Sequence, residues 1–355
     1  MRSARLPPQP IPRSIASVGL LAYICIAKYV DGLPLYRLEA ILRRFGVDIP
    51  RATLAEWMIR LGELILPLLN LLRDLLLGHD LLQMDETTVQ VLKEPGRPPT
   101  SKSYMWVQKG GPPGKEVILF DYDPSRSQAV PQRLLEGYRG YLQCDGYDGY
   151  AAVGRREGVV LVGCWAHARR KFDEAIKALG KQGKTKAGRA TKGLTYIQKL
   201  YRIEKLAKGA SPEERHRLRQ EQAVPILKEM RDWLDKSLPE VPPRSAVGKA
   251  LHYLAGEWDK LLRYVEDGRL PIDNNAVERA IRPFVIGRNN WLFSDTPKGA
   301  HASASLYSLI STAKTHGHEP YRYLRHVLKE LPAAKTVQDF EALLPFNIDP
   351  GSLEQ

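Results

Sequence analysis

The pattern of hydrophobic and polar positions divides the chain into a helical start, a strand-rich middle and a long helical remainder. Within residues 16–79, Leu35–Phe45 and Arg51–Arg60 each predict a short helix, and Gly46–Ile49 predicts the turn between them. This layout resembles a helix-turn-helix, and a plain helical hairpin packed on the core is the competing interpretation. The apolar stretch Leu61–Leu77 contains charged residues and a proline, so we expect a buried helix or helical pair rather than a membrane span.

From residue 81 the pattern changes from helical spacing to alternation. Leu81–Leu92 alternates over part of its length, Ser103–Lys109 is rich in aromatic and β-branched residues, and Glu116–Tyr122 is an apolar run. Short loops separate these runs, which predicts an antiparallel meander of three strands. A helix candidate and two further strand candidates follow, at Ser125–Leu135, Gly140–Asp145 and Gly158–Gly163. The order β-β-β-α-β is that of the ribonuclease H fold, although periodicity alone supports only a mixed α/β fold.

Residues 164–270 are predicted to be almost entirely helical. They include the basic stretch Lys177–Lys192, which is either a solvated loop or a segment that follows a phosphate backbone. A helix is predicted over Ala250–Val265, and Pro271 with Asp273-Asn274-Asn275 predicts the start of the next.

Composition narrows the class of partner. The chain has 355 residues, is 43% hydrophobic and 26% charged, and carries a net charge of +13, which favours nucleic acid or an acidic membrane surface as partner. Three cysteines without a CxxC pair cannot supply a disulfide framework or a four-cysteine zinc site, so a reducing cytosol is expected. We expect no signal peptide and no membrane-spanning segment.

Three separated acidic residues stand in segments suited to a shared metal site: Asp85, Asp145 and Glu278. Strand alternation puts Asp85 on the same face as Val89 and Val91, and the adjacent Glu86 on the opposite face. Because valines usually face the core, this favours Asp85 as the acid that points into a site. A pair of exposed acids on an edge strand is the alternative for this segment.

The other two acids are equally ambiguous when taken alone. Asp145 ends a strand, where its carboxylate can project from the sheet, but Asp148 competes with it and an Asp-Gly turn is a common structural arrangement. Glu278 borders the apolar stripe of a predicted helix, and Asn275 with Glu278 also fits an N-terminal capping pattern.

Acids held by separate elements suit one kind of chemistry. In-line attack on a phosphodiester puts charge on the entering and the leaving oxygen, and two magnesium ions roughly 3.5–4 Å apart stabilise both. Magnesium prefers carboxylate oxygens, and carboxylates brought together repel one another unless the cation is present. Together with the positive charge, the three acids predict a metal-dependent phosphoryl-transfer enzyme acting on DNA.

At these acids the sequence resembles the bacterial insertion sequence 66 transposases, a branch of the DDE transposases with a ribonuclease-H-like core. The matching stretches run in order from Ala27 to Leu324 and include AKYVDGLPLYRLEAILRRFGVDIPRATLAEW, QMDETTVQVL, GYLQCDGYDGY, CWAHARRKFDEA and DNNAVERAIRPFVIGRNNWLFSDTPKGAHASASLYSLISTAKTHGHEPYRYL. Motifs of this length are highly specific. The resemblance implies that Asp85, Asp145 and Glu278 form the metal-binding catalytic triad.

What the resemblance implies for function is DNA transposition. The expected reaction is Mg²⁺-dependent cleavage at the 3′ ends of an insertion sequence and strand transfer to target DNA, with Mn²⁺ able to substitute. The expected partners are element ends and target DNA, further copies of the chain on paired ends, and helper proteins of the same element, in the nucleoid-associated bacterial cytoplasm.

The sequence pattern and the resemblance together predict an organisation in five segments, of which the insertion and the C-terminal tail are implied by the resemblance. They are a Pro-rich leader with a helical, helix-turn-helix-like region at 1–79, the first part of the ribonuclease-H-like α/β core at 80–163, a helical insertion at 164–270, core helices carrying the third acid at 271–318, and a family-specific C-terminal tail at 319–355.

Further residues near the third acid are candidates for contacting DNA. The basic ones, which could bind phosphates, are Arg279, Arg282, Arg288 and Lys298. Trp291 could stack on a flipped or frayed base. Ion pairing and core packing are the alternative roles for all of them.

Two other functions are weighed against transposition. Longer members of the family are expected to carry an upstream coiled-coil and zinc-binding DNA-recognition region, which this sequence lacks, so a truncated or decayed transposase acting as a DNA-binding regulator is the alternative. A metal-free tyrosine recombinase is suggested only faintly, by His167-Ala168-Arg169-Arg170 followed by Tyr196 or Tyr201.

Overall fold

The computed structural model describes residues 8–178 and 188–353 and divides into two compact units. The first unit contains Met1–Arg139 and Val277–Gln355, so both ends of the chain contribute to it, and the second unit is Gly140–Ala276. The middle of the basic stretch Lys177–Lys192, at 179–187, lies outside the described residues.

The first unit begins with four helices, followed by three strands and a short helix. These are α1 Val18–Tyr29, α2 Leu35–Arg44, α3 Arg51–Leu64, α4 Leu66–Leu77, β1 Leu81–Gln90, β2 Lys102–Gly110, β3 Val117–Asp123 and α5 Ala129–Leu134. The predicted helical pair is confirmed, because α3 ends and α4 begins around Ile65, with Pro67 in the first turn of α4 where it removes no helical hydrogen bond. The predicted strand meander is also confirmed.

The second unit contains two strands and, over the described residues, mostly helices. Its elements are β4 Gly140–Gln143, α6 Ala151–Gly154, β5 Val159–Val162, α7 Trp165–Ala178, α8 Arg189–Leu206, α9 Pro212–Leu218, α10 Val224–Ser237 and α11 Ala246–Leu262. Strands β4 and β5 pair in parallel, from Gly140 opposite Val159 to Gln143 opposite Val162.

The remaining elements return the chain to the first unit. They are α12 Asn275–Trp291, α13 Pro297–Thr315, α14 Pro320–Glu330 and α15 Val337–Ala342. Short 3₁₀ turns occur at Asp148–Tyr150, Arg263–Val265, Leu331–Ala333, Pro345–Asn347 and Pro350–Leu353.

Helix α13 closes the outer edge of the antiparallel sheet of the first unit. The Phe120 N–H donates to Ser308 Oγ at 2.8 Å, and the Ile118 N–H donates to Thr312 Oγ1 at 3.1 Å. Helix hydroxyls therefore satisfy backbone groups of β3 that a further strand would otherwise bind, which protects an edge that is prone to aggregation.

A buried arginine organises the helices of the second unit. Arg219 has no exposed surface and stands at the start of a π-helical turn, Arg219–Ala223. Its guanidinium donates to both carboxylate oxygens of Glu204 at 2.8 Å, to the Tyr264 carbonyl at 2.6 Å and to the Asp267 carbonyl at 3.0 Å. Four good acceptors offset the desolvation of the charge, as a buried guanidinium requires.

The observed class is mixed α/β, with five strands in the described residues, as the pattern predicted. No helix within the described ranges is long and apolar enough to cross a membrane.

Candidate active site

Helix α12 lies along β1, and two hydrogen bonds fix its direction. Near the start of the helix the Val277 N–H donates to Gln83 Oε1 at 3.2 Å, and near its end Arg288 Nη1 donates to Thr87 Oγ1 at 3.1 Å. Gln83, Asp85 and Thr87 share one face of β1 because side chains alternate along a strand. Asp85 therefore lies between the two contacts and on the side of the helix, while Glu278 directly follows Val277. The Val277–Gln83 bond joins the first turn of α12, which contains Glu278, to the strand that contains Asp85.

The two adjacent acids of β1 have different environments. The side chain of Glu86 is 2% exposed and accepts a hydrogen bond from Arg126 Nε at 2.7 Å. Asp85 is half-buried, and its Oδ1 accepts the Glu86 N–H at 2.8 Å. Glu86 is thus neutralised on the opposite face, which leaves Asp85 as the better candidate ligand of the pair.

Glu278 lies half-buried in the first turn of α12. The first amides of a helix need acceptors, and two of them have acceptors other than Glu278. The Asn275 N–H donates to Asp273 Oδ1 at 3.1 Å, and the Val277 N–H donates to Gln83. In a capping box the Glu278 carboxylate would accept the Asn275 N–H. Here Asp273 accepts it instead.

Cationic side chains flank this end of β1. Lys109 of β2 stands directly opposite Gln83, and Arg279 follows Glu278 and is exposed. Burial lowers the pKa of Lys109, the nearby Arg279 lowers it further, and Glu116 opposes this shift. Lys109 and Arg279 are thus two neighbouring cations near the candidate acids, and such a pair is suited to binding a phosphate group. Sequence reasoning missed Lys109, because only the strand register shows that it stands opposite Gln83.

The other predicted DNA contacts differ in how accessible they are. Arg282 and Lys298 are exposed. Arg288 is half-buried and bound to Thr87 and Thr88, and burial lowers the pKa of its guanidinium.

Trp291 is half-buried at the end of α12. Its ring is edge-on to Phe284 with centroids 5.5 Å apart, and Lys28 Nζ lies 5.3 Å from its centroid. The DNA-binding roles of Trp291 and of the four basic residues stay predictions.

In the second unit, Asp145 lies two residues beyond β4 and is half-buried. Its Oδ1 accepts the Tyr147 N–H at 3.0 Å, so the turn anticipated at Asp145-Gly146 is present and holds the carboxylate in one orientation. The competing Asp148 is exposed in a 3₁₀ turn.

Helix α11 packs against this turn. A Cβ added to Gly146 would lie 2.9 Å from the Tyr253 ring and 3.3 Å from the Glu257 carboxyl carbon. Burial raises the pKa of Glu257, Lys260 lowers it, and Asp145 and Asp148 raise it. Sequence reasoning missed Glu257, because nothing local distinguishes it from the other acids of a helical segment.

Comparison with known families bears on the whole chain. A family model described as "Transposase IS66 family" matches residues 13–302, and one described as "IS66 C-terminal element" matches residues 308–346. The chain belongs to the IS66 transposase family. The resemblance inferred from the motifs is thereby confirmed, and membership in the IS66 family indicates a transposase role.

Three IS66 relatives come from Sinorhizobium fredii, and each carries the description "Uncharacterized protein". The protein y4qI is 33% identical over 99% of this chain and 66% of its own length, y4jD is 31% identical over 94% and 66%, and y4hP is 28% identical over 94% and 63%. This IS66 family chain therefore spans about two thirds of the length of the curated relatives that it matches. No solved structure matches it significantly.

Proposed function

We propose that the chain is a DNA transposase that cleaves the 3′ ends of an insertion sequence and joins them to target DNA in a divalent-metal-dependent reaction. The observation that carries this proposal is the alignment of α12 on β1, which brings Glu278 to the strand that bears Asp85. Family membership supplies the reaction class. We assign the fold to the ribonuclease-H-like group on the strand and helix order.

The proposed metal ligands are Asp85, Asp145 and Glu278. Their donor atoms are carboxylate oxygens, which fit Mg²⁺ and Mn²⁺. Divalent ions bound there would stabilise the charge that develops on the attacking and the leaving oxygens. Glu86 is excluded from the set because Arg126 already neutralises it.

The remaining residues in the proposal act on the DNA. Lys109, Arg279 and Arg282 lie close to Glu278 in the fold or the sequence and would neutralise the phosphates on either side of the bond to be cut. Arg288 holds α12 on β1 through Thr87, so its contribution is to position Glu278 as well as to add positive charge. Lys298 and Trp291 complete the proposed DNA-contacting set.

The proposed reaction also specifies partners. Cutting two ends and joining them to one target requires more than one active site, so we propose further copies of this chain as partners, with helper proteins of the same element, at the bacterial nucleoid. We do not attribute the recognition of element ends to any single helix of the chain.

Cleavage of a labelled duplex that carries an element end tests the proposal, with Mg²⁺ or Mn²⁺ present. Wild type should nick the strand at the 3′ end, and Asp85→Asn, Asp145→Ala and Glu278→Gln should each remove that activity. Glu86→Gln and Asp148→Ala are matched controls that should retain it. Wild type that binds the duplex without cutting supports the decayed regulator instead, and a protein–DNA link that survives EDTA supports the tyrosine recombinase.

A further inference from the structure

Two large apolar side chains project into solvent directly after α12. Leu292 is 63% exposed and Phe293 is 42% exposed, although both follow the partly buried Trp291. Exposed apolar groups of this size next to one another are typical of a surface that contacts another molecule.

Leu292 also has a backbone conformation that disfavours a leucine. Its φ is +66°, in the left-handed region that glycine usually occupies after a helix. Holding a residue with a Cβ there costs about 1 kcal/mol or more. Backbone preference does not account for leucine at this position, and backbone strain of this kind concentrates at functional sites.

The segment that carries Leu292 and Phe293 is held at both ends. On one side Trp291 packs on Phe284. On the other, the Ser294 N–H donates to the Gln90 carbonyl at 2.9 Å and the Leu92 N–H donates to the Ser294 carbonyl at 3.0 Å. The two side chains are therefore presented on a short rigid link rather than on a loose loop.

The exposed surface that leads from Glu278 to this link is suited to DNA. Its residues are Arg279, Arg282, Ile286, Asn289 and Asn290, all exposed on α12. Glu278 is the one acidic residue of that helix. Guanidinium groups bind phosphates, amides bind base edges, and apolar tips enter between stacked bases. Charge and chemistry together favour DNA over a protein partner.

We propose that Leu292 and Phe293 form an apolar wedge that enters the base stack of the element-end DNA and holds one base step open. This inference rests on the proposed function, because the wedge acts on the DNA that the site would cut. Trp291 anchors the wedge by packing on Phe284, and the two residues that follow it enter the base stack.

The fold also sets where the opened step lies. The Ser294 N–H donates to the carbonyl of Gln90, which is five residues beyond Asp85 on β1, or roughly 17 Å at about 3.3 Å per residue. A duplex covers that distance in about five base pairs. The opened step should therefore lie about five base pairs from the cleaved phosphate.

The test compares intact and pre-opened DNA. Leu292→Gly, Phe293→Ala and the double variant are assayed with wild type, and Val337→Ala, which truncates another exposed apolar residue of the first unit, is the matched control. On intact duplex the wedge variants should nick about tenfold more slowly, the size of one lost base-stacking contact. A two-base mismatch about five base pairs from the nick should restore them to near the wild-type rate, and the same mismatch fifteen base pairs away should not.

A second readout does not depend on cutting. With 2-aminopurine at the predicted step and EDTA present, wild type and Val337→Ala should raise the fluorescence on binding, and the double variant should bind without the rise. If wild type never nicks the duplex but still raises the fluorescence on binding, the proposed function is rejected and the wedge is retained.

Three results would overturn the wedge. They are wild-type nicking rates in the double variant, a defect that no mismatch position repairs, and a concentration-dependent increase in mass of DNA-free wild type that Leu292→Gly removes. The last would assign the apolar pair to contact with a second copy. Leu292→Gly should unfold no more easily than wild type, because glycine relieves the strain at φ +66°.

Discussion

Gln83 of β1 accepts the backbone N–H of Val277 at 3.2 Å across 194 residues of sequence. The bond satisfies one of the first amides of α12 and ties the turn that contains Glu278 to the strand that contains Asp85. Gln83 is 6% exposed, so water does not substitute readily as the acceptor.

Replacing Gln83 tests this tie. Gln83→Leu should lower the free energy of unfolding by about 1–3 kcal/mol, the cost of leaving a buried amide without an acceptor, and should slow metal-dependent nicking. Gln90→Leu is the control on the same strand, because the side-chain amide of Gln90 donates to the nearby Pro99 carbonyl from a partly exposed position. Urea titrations and nicking rates measure the two effects, and equal behaviour of both variants would contradict the assignment.

The adjacent acids of β1 should separate activity from stability. Asp85→Asn should abolish nicking while leaving the unfolding transition near that of wild type. Glu86→Gln should retain nicking and lose about 1.5 kcal/mol of stability, at the lower end for a bond to a charged group, because Arg126 is 41% exposed. Inactivity of Glu86→Gln with normal stability would point to Glu86 as the ligand instead.

Gly146 should tolerate no side chain beside Asp145. Gly146→Ala brings a Cβ to 2.9 Å from the Tyr253 ring, which must move, so we expect about 1–3 kcal/mol of destabilisation and slower nicking. Gly256→Ala on α11 meets nothing within 4 Å and should stabilise the helix by up to about 1 kcal/mol. Thermal unfolding and nicking assays measure both variants, and normal activity in Gly146→Ala would show that the turn accommodates the methyl group.

Lys28 should make stability depend on pH in the alkaline range. Burial lowers its pKa from 10.5 to about 8, while Cys25 opposes this. Between these values the unfolded chain binds more protons than the folded chain, so the penalty of burying the charge is full below about pH 8 and disappears as the pH rises toward 10.5.

Lys28→Met should therefore be more stable than wild type at pH 7, and the difference should shrink by pH 10. Lys199→Met removes an exposed cation that lies 5.5 Å from the Tyr196 ring centroid, and serves as the control. Urea unfolding at several pH values measures the difference. A constant difference between Lys28→Met and wild type across the range would contradict the assignment.

Arg219 should be the most sensitive arginine of the second unit. Arg219→Lys keeps the charge but cannot reproduce the paired bonds to Glu204 and the two carbonyl contacts, so we expect a loss of about 3 kcal/mol or more. Arg231→Lys alters an exposed pair with Asp235 and should change stability by less than about 0.5 kcal/mol. Similar melting temperatures for the two variants would show that the buried network is dispensable.

Local periodicity was sufficient to find the elements. The change from helical spacing to alternation at residue 81 places β1, and the charged residues and proline of Leu61–Leu77 predict a buried helix or helical pair, because each signal lies within a few residues of the element that it predicts. The alternation along β1 also separates Asp85 from Glu86 without knowledge of the rest of the fold.

Contacts between distant segments could not be predicted in this way. The bond from Val277 to Gln83, the position of Lys109 opposite Gln83 and the ion pair of Glu86 with Arg126 all depend on register and packing. The left-handed backbone of Leu292 was missed for a related reason, since leucine carries no local signal for that conformation.

The divided first unit has a consequence for synthesis. Strands β1 to β3 leave the ribosome first, and the 137 residues of Gly140–Ala276 must follow before α12 and α13 are made. At bacterial elongation rates this delay is on the order of 7–27 s. During it, the hydroxyls of α13 that bond the edge of β3 and the Val277 amide that bonds Gln83 have not yet been synthesised. A nascent or prematurely terminated chain thus carries Asp85 without Glu278, and it exposes the strand edge that α13 covers in the folded chain.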